Sequence, residues 1–376
     1  HWSGPTCNMR SRMSRSTCGQ GPESCCSVCA MNERLSIITE LPEGFLDVQH
    51  RRIRDLFPTP TLVKLQGDRD LPLFVTILLH GNEYSGLKSM QSLLGKYRDD
   101  LPRSLYFFVG NVAAAESNKR FLAGQVDFNR CWPGTDLPDS DAARLMQQVF
   151  DEVTADGLFA AIDVHNTNGT NPHYAGMTDV TQHNQHLAAM FNHIAVAFRS
   201  PRGVSTMAFD GVCPAITIEC GRPGDANGIR HAIELIDALL HMDHFPQRPV
   251  APHDLQLVRS LVTLKVAPDV SFDFNLSSPA DLIFDSSFER KNFTEISRHE
   301  VFGHTRVERP LKITNEQGED VTDQIIRIED GNIYLNRTLI PSMITIDKNI
   351  VRQDCLCYLM ERLPPSPAFR LRSRPR

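Results

Sequence analysis

Two potential metal ligands stand three positions apart in the segment His80-Gly81-Asn82-Glu83. A histidine and a glutamate at this spacing can reach one metal ion from a single turn, and Gly81 allows the backbone to bend sharply between them. The preceding residues, 74–79, are apolar or β-branched, which predicts a buried strand that stops at this turn. A His-x-x-Glu pair is common, so the prediction of a metal site depends on the rest of the chain.

Two later strands are predicted to end on the same kind of side chain. Residues 158–165 and 215–219 are apolar runs with β-branched residues, and their last residues are His165 and Glu219. Each run is followed by a loop rich in turn-forming residues. Because ligands bind outside the carboxyl ends of the strands in open α/β sheets, these strand ends and residues 80–83 predict one shared cleft.

The residue types in this cleft are those of a hydrolytic zinc site. Such sites use two histidines and one glutamate and keep a fourth position open for water. We therefore predict that His80, Glu83 and His165 bind one Zn²⁺ per chain. Glu219 would face the metal-bound water, where a carboxylate can act first as general base and then as general acid.

A second group of polar residues is suited to binding a carboxylate. Asn129 and Arg130 are adjacent, they precede the stiff loop 132–134, and Arg120 lies upstream of them. The planar fork of a guanidinium matches a carboxylate, and an amide adds a further hydrogen-bond donor. Near a metal, this pair would bind a carboxylate of the substrate.

The elements that must position these residues predict an α/β layer fold. From about residue 35 to 245, strand-like and helix-like segments alternate. A further strand is predicted at 105–109, and apolar residues at helical spacing predict helices over 85–98, 187–198 and 229–240.

A proline-rich segment divides the chain. Residues 246–252 are predicted to be a linker between a catalytic domain at 31–245 and a smaller, mostly β domain at 253–362. Short alternating runs follow the linker, and Asp330-Gly331 predicts a hairpin between the last two of them. The basic, proline-rich tail at 363–376 is predicted to be disordered.

Composition excludes several classes of partner. The net charge of −6 gives no basic surface for nucleic acid. No apolar run approaches the ~20 residues of a membrane span, and no secretory signal is evident, so we predict a cytoplasmic protein.

Residues 1–30 hold half of the ten cysteines but almost no apolar side chains to bury. They predict a disordered or non-native extension rather than a metal or disulfide knot.

Four segments together resemble a known family. They are His80-Gly81-Asn82-Glu83, Asp127-Phe128-Asn129-Arg130, Asp163-Val164-His165-Asn166-Thr167 and Ile218-Glu219-Cys220-Gly221. In type and in order they are similar to the conserved blocks of the succinylglutamate desuccinylase/aspartoacylase family of zinc carboxypeptidase-like hydrolases. The resemblance covers residues 80–221, and it implies a mixed sheet flanked by helices with a smaller, mostly β C-terminal domain.

The resemblance also implies roles for single residues. These are zinc binding by His80, Glu83 and His165, acid–base catalysis by Glu219, polarisation of the scissile carbonyl by Arg120, binding of a substrate carboxylate by Asn129 and Arg130, and a place in the wall of the site for Asn166. Two family features lack a clear counterpart. The second substrate arginine has only Arg199 and Arg202 as candidates, and the tyrosine of the second domain only Tyr334.

The resulting prediction is a zinc-dependent amidohydrolase that cleaves an N-acylated amino acid or a related small carboxylate. Two alternatives remain, a zinc carboxypeptidase acting on short peptides and a non-catalytic zinc-binding protein. A thiol hydrolase using Cys220 lacks a supporting histidine arrangement. The sequence does not identify the acyl group or the amine, and it does not distinguish a monomer from a homo-oligomer.

Overall fold

The computed structural model describes residues 34–69, 71–97 and 100–363. The predictions for residues 1–30, and those for the tail beyond Leu363, concern residues outside this description. The strands in chain order are β1 (Ser36–Ile38), β2 (Thr61–Leu65), β3 (Leu73–Ile77), β4 (Leu105–Val109), β5 (Ala160–His165), β6 (Tyr174–Met177), β7 (Ile194–Ala197), β8 (Ala215–Glu219), β9 (Gln256–Val266), β10 (Phe272–Asp273), β11 (Leu282–Ile283), β12 (Val301–Thr305), β13 (Leu311–Asn315), β14 (Ile326–Glu329), β15 (Asn332–Leu335), β16 (Ile340–Ser342) and β17 (Cys357–Arg362).

Helices precede and follow most strands of the first half. They are α1 (Ser85–Tyr97), α2 (Val112–Glu116), α3 (Asp141–Thr154), α4 (Gln182–Phe191), α5 (Ser205–Ala208), α6 (Ala226–His241), α7 (Thr322–Ile325) and α8 (Lys348–Gln353). Short 3₁₀ segments are His50–Asp55, Phe128–Arg130 and Phe288–Lys291. Among the described residues, no helix combines the length and the apolar character needed to cross a membrane.

The main sheet has twelve strands, in the order β1-β2-β4-β3-β5-β8-β6-β7-β9-β17-β16, with β13 paired to β9 outside this path. Strands β4, β3, β5 and β8 are parallel neighbours, whereas β2–β4, β6–β8 and β9–β17 are antiparallel pairs. A second sheet of five strands has the order β10-β11-β12-β15-β14. The predicted fold class, a mixed sheet flanked by helices with a smaller β region, is therefore confirmed.

Helices cover both faces of the central strands. Successive residues of a strand point to opposite faces, so Phe107 joins the apolar core that holds residues of α1, α4 and α6. Its neighbour Phe108 joins the core formed with α3 and Trp132. Burial on both faces explains why the sequences of β3, β4, β5 and β8 are nearly continuous apolar runs.

The predicted elements around the site are confirmed, and one helix is shorter than its pattern indicates. Helix α6 begins after Asp225, whose carboxylate accepts hydrogen bonds from the backbone N–H groups of Asn227 and Gly228. The helix predicted over 187–198 was wrong beyond Phe191. Residues 194–197 form strand β7 instead, because these apolar and β-branched residues pair with β6 and β9.

The C-terminal region contributes to both sheets. Strand β9 follows the proline-rich segment 246–252 and pairs with β7, so the main sheet continues on both sides of this segment. The hairpin at Asp330-Gly331 is confirmed, since β14 and β15 pair on either side of it and both turn residues have positive φ. The predicted domain boundaries themselves stay a prediction.

Candidate active site

Three adjacent parallel strands bring the predicted site residues to one edge of the main sheet. His165 and Glu219 are the last residues of β5 and β8, and they are direct partners in the parallel register. His80 comes three residues after the end of β3, the strand on the other side of β5. The three strand ends therefore meet in one place, as the sequence predicted.

The turn after β3 depends on its glycine. A Cβ atom at Gly81 would lie 2.1 Å from the backbone nitrogen of Ala115, so helix α2 leaves no room for a side chain. The Gly81 N–H donates to the carbonyl of Arg120 at 3.1 Å, and the Glu83 N–H donates to the carbonyl of His80 at 3.1 Å. The close approach to α2 and this tight turn orient His80 and Glu83 toward the same point.

Three buried side chains converge on that point. Glu83 Oε1 lies 2.8 Å from His80 Nδ1, and Glu83 Oε2 lies 2.8 Å from His165 Nδ1. One ligand atom from each residue lies within 4.8 Å of the other two, and each residue is only 3% exposed. Two imidazole nitrogens and a carboxylate at this spacing fit a zinc ion.

The charges within this group are strongly coupled. Burial alone would raise the pKa of Glu83, but the two histidines hold it well below its usual range. Burial alone would lower the pKa of His165, but the carboxylates of Asp163 and Glu83 raise it well above its ordinary value. The cluster therefore keeps a negative charge at Glu83, which is the state that binds a cation.

Each histidine has a further carboxylate behind it. Asp127 Oδ1 lies 3.0 Å from His80 Nε2, and Asp163 Oδ2 lies 2.9 Å from His165 Nε2. Asp163 is held in turn by the hydroxyl of Thr76, which donates to its Oδ1. Carboxylates in this position fix the tautomer and the orientation of metal-binding histidines. The sequence reasoning missed both roles, although Asp163 stands two positions before His165 and therefore shares its face of β5.

Glu219 has the environment of an acid–base group. Its Oε2 is buried and has no hydrogen-bond partner among the described residues. Burial, opposed by His165 and His80 and reinforced by Glu83 and Asp163, raises the pKa of Glu219 to about 7. A carboxylate with a pKa near neutrality and a free oxygen atom can accept and return a proton. We refer to His80, Glu83, His165 and Glu219 as the catalytic cluster.

The structure brings the predicted arginines and Asn129 to the same cavity. Arg120 donates to Asp127 Oδ2 at 3.1 and 3.4 Å and lies 3.7 Å from Glu83. The Asn129 amide nitrogen lies 3.2 Å from His165 Nε2, and its oxygen accepts from the backbone N–H of Ser205 at 3.1 Å. These contacts fix Asn129 in the floor of the site.

Arg130 is less constrained than its neighbour. Within the described part of the chain its guanidinium makes one hydrogen bond, from Nη1 to the carbonyl of Asn129 at 2.8 Å. No carboxylate of the described residues lies within ion-pair distance of it, so most of its donors are available to a ligand.

Asn166 has a supporting position. Its amide donates to Ser85 Oγ and to the carbonyl of Gly221, each at 2.9 Å, and accepts from the backbone of Ser85 at 3.2 Å. Its own N–H donates to Glu83 Oε2 at 3.0 Å. Asn166 thus joins the loops after β5 and β8 to helix α1 and positions a predicted metal ligand.

A cavity that is open to solvent lies at the catalytic cluster. Besides the residues already described, it is lined by Tyr174, Gly176, Val196, Phe198, Ser200, Pro201, Val204, Thr217, Ser260, Ser342, Met343, Asp354 and Tyr358.

Strands β16 and β17 and the segment before β17 supply one side of this cavity. We call Ser342, Met343, Asp354 and Tyr358 the C-terminal wall. The sequence reasoning missed all four because no motif marks them. Its candidate Tyr334 was wrong: it lies on β15 of the second sheet, where Arg327 stacks on its ring at 4.8 Å.

The candidates for a second substrate arginine do not line this cavity. Arg202 forms an exposed ion pair with Asp136 at 3.2 Å. Arg199 borders a separate small cavity together with Leu261 and Glu316.

Comparison with known proteins agrees with this architecture. Succinylglutamate desuccinylase from Chromobacterium violaceum superimposes with a TM-score of 0.54 at 16% identity, over 82% of this chain and 89% of that one. Murine aminoacylase 3 gives a TM-score of 0.52 at 16% identity, over 79% of this chain and 96% of that one. A succinylglutamate desuccinylase/aspartoacylase from Rhodobacter sphaeroides gives a TM-score of 0.53 at 15% identity, over 80% of this chain and 89% of that one.

Sequence comparison finds a family match for the residues that carry the catalytic cluster. No curated protein matches the chain. Residues 73–241, which span β3 to α6, match the succinylglutamate desuccinylase/aspartoacylase catalytic domain. This match confirms, over residues 73–241, the resemblance that the four motif blocks indicate, and the fold shared with the solved structures agrees with it.

Proposed function

We propose that the protein is a zinc-dependent hydrolase that cleaves the amide bond of an N-acylated amino acid or a related small carboxylate. The observation that carries the proposal is the convergence of His80, Glu83 and His165 beside an oxygen of Glu219 that has no hydrogen-bond partner in the described part of the chain. A purely structural metal site needs no such acid–base group, which argues against a non-catalytic zinc-binding protein.

Zinc held by these three residues would supply an acidified water molecule, with a pKa near ~7, and polarisation of the substrate carbonyl. Glu219 Oε2 would take the proton of the attacking water. The same carboxyl group would then donate that proton to the nitrogen of the leaving amine as the C–N bond breaks.

The arginines have separate tasks in this proposal. Arg120, held by Asp127 and close to Glu83, would stabilise the negative charge that develops on the carbonyl oxygen. Arg130, with the amide of Asn129 beside it, would bind the substrate carboxylate through its free donors. The reaction requires both groups to face the metal-binding residues, and all of them line one cavity.

The C-terminal wall favours small substrates over longer peptides. Ser342 at the end of β16, Met343 directly after it and Tyr358 on β17 line the cavity and limit its extent. A carboxypeptidase for short peptides is the remaining alternative because it would share the same zinc chemistry. The cytoplasmic location stays a prediction from the sequence.

An activity screen tests the proposal. Protein stripped by a chelator and reloaded with zinc is assayed on N-acetyl, N-succinyl and N-formyl amino acids, with dipeptides in parallel. We expect zinc-dependent release of a free amino acid from at least one N-acyl series. Turnover of dipeptides alone would replace the deacylase by the carboxypeptidase, and no turnover of any compound by the zinc-loaded protein would contradict both.

A further inference from the structure

An acidic side chain lies in the C-terminal wall of the cavity without a partner of its own. Asp354 directly follows helix α8, is half-buried and lines the cavity together with Arg120 and Arg130. Among the described residues, no group forms a hydrogen bond or an ion pair with its carboxylate. Its negative charge nevertheless acts on the site. Together with the stronger effects of Asp127 and Glu83, it raises the pKa of Arg120. The pKa of Tyr358 is raised mainly by burial and Cys355, and Asp354 adds to that shift.

The two arginines that line the cavity differ in their ion-pair partners. Arg120 is bound to Asp127 through two hydrogen bonds. Arg130 has no carboxylate within ion-pair distance among the described residues. When the carboxylate of a substrate occupies Arg130, Asp354 still has no ion-pair partner among the described residues, in a cavity that binding has made drier. A half-buried charge in that state weakens binding unless a cation reaches it.

Among the other described residues that line the cavity, no lysine or arginine is present to pair with Asp354. Gly176, Val196, Phe198 and Val204, which also line the cavity, are apolar. The described residues that line the cavity include only the two arginines as permanent cations. A second substrate carboxylate would therefore find no further permanent cation among these lining residues, and it would meet the negative charge of Asp354.

We propose that Asp354 binds an ammonium group of the substrate, so that the preferred substrates carry a free ammonium in addition to the carboxylate held at Arg130. The inference rests on the proposed amide hydrolysis and narrows its substrate class. Two kinds of molecule share this chemistry. The ammonium can belong to the amine half, as in an acylated diamino acid, or to the acyl half, as in a dipeptide.

Four compounds of similar size separate these cases. N-acetylnorvaline is the neutral reference. Nα-acetylornithine adds an ammonium to its three-carbon side chain, glycylnorvaline adds one to its acetyl group, and N-acetylglutamate adds a carboxylate. Dissociation constants are measured by calorimetry on zinc-loaded Glu219→Gln protein, which is expected to bind without turnover, and again after adding Asp354→Asn.

The expected result is a preference that depends on Asp354. At least one of the two ammonium compounds should bind roughly tenfold or more tightly than N-acetylnorvaline, the lower range for a hydrogen bond to a charged group. N-acetylglutamate should bind most weakly. Asp354→Asn should remove most of the ammonium preference, whereas Asp269→Asn, an exposed aspartate outside the cavity, should retain it.

Two outcomes overturn the inference. One is equal binding of the neutral and the ammonium compounds, which would mean that Asp354 only balances Arg130. The other is an ammonium preference that persists in Asp354→Asn. Turnover by the wild-type protein is measured separately on the same compounds, so absence of hydrolysis would contradict the proposed function, while the binding ratios decide the role of Asp354. Melting temperature and zinc content show whether each variant is folded and loaded.

Discussion

The catalytic cluster and the C-terminal wall line one cavity, but they are built in different ways. The catalytic side chains stand at or just beyond the carboxyl ends of adjacent parallel strands, and neighbouring groups such as Asp163 and Asn166 hold them in place. In the wall, Asp354 has no partner among the described residues. The difference suggests that the cluster is preorganised for one chemistry, whereas the wall sets which molecules reach it.

If this distinction holds, changes in the cluster should remove zinc or catalysis, and changes in the wall should alter substrate preference while zinc stays bound.

Loss of a metal ligand should have the largest effect. His165→Ala leaves two protein ligands, so we expect loss of stoichiometric zinc and, with it, of hydrolytic activity. The measurement is metal analysis after dialysis against a chelator at a level that leaves the wild type loaded. His173→Ala, a histidine beside the site but outside the ligand group, is the matched control. Full retention of zinc by His165→Ala would contradict the ligand assignment.

The carboxylate behind His165 should matter next. Asp163→Asn can keep the Oδ1 atom that accepts the hydrogen bond from Thr76. Its NH₂ group would, however, replace Oδ2 beside His165 Nε2. When His165 Nδ1 binds the metal, Nε2 carries the proton, so two hydrogen-bond donors would then face each other. We expect the zinc affinity to fall ~10–100-fold. Competition with a chromophoric chelator measures it, and an unchanged zinc affinity would show that Asp163 does not orient the ligand.

Arg130 tests the boundary between chemistry and recognition. Arg130→Ala should lower kcat/KM by roughly 10–150-fold, the range for a hydrogen bond to a charged group, with zinc retained. Arg130→Lys should recover only part of this loss because the planar fork is absent. The wild type should discriminate against a neutral amide analogue of its best substrate. An Arg130→Ala variant that keeps the full preference for the acid would move the carboxylate site elsewhere.

In the C-terminal wall, Tyr358→Phe should have the smallest effect. It removes one phenol hydroxyl from the cavity lining, and a neutral hydrogen bond accounts for about 0.5–1.5 kcal/mol, or roughly 2–10-fold in kcat/KM. Zinc content should equal that of the wild type. Loss of zinc in this variant would break the distinction between the two sides of the cavity.

The same distinction explains how far the sequence could be interpreted. His80, Glu83, His165 and Glu219 could be predicted because each lies at or just after the end of an apolar run, and adjacent parallel strands bring their ends together. Asp354 and Tyr358 could not be predicted, since they reach the cavity only when β17 pairs with β9 and no local pattern marks that register. The helix predicted through residue 198 failed for a related reason, because pairing with β6 and β9 determined the structure of residues 194–197.

The most direct test of the account is the activity of zinc-loaded Glu219→Gln, because this change keeps the size of the side chain and removes only its acid–base function. We expect a full equivalent of zinc and a rate lowered ~10²–10⁴-fold on the best N-acyl substrate, whereas Glu234→Gln on the exposed side of α6 should match the wild type. Zinc retention with near wild-type turnover in Glu219→Gln would contradict the assignment of Glu219 as the acid–base group.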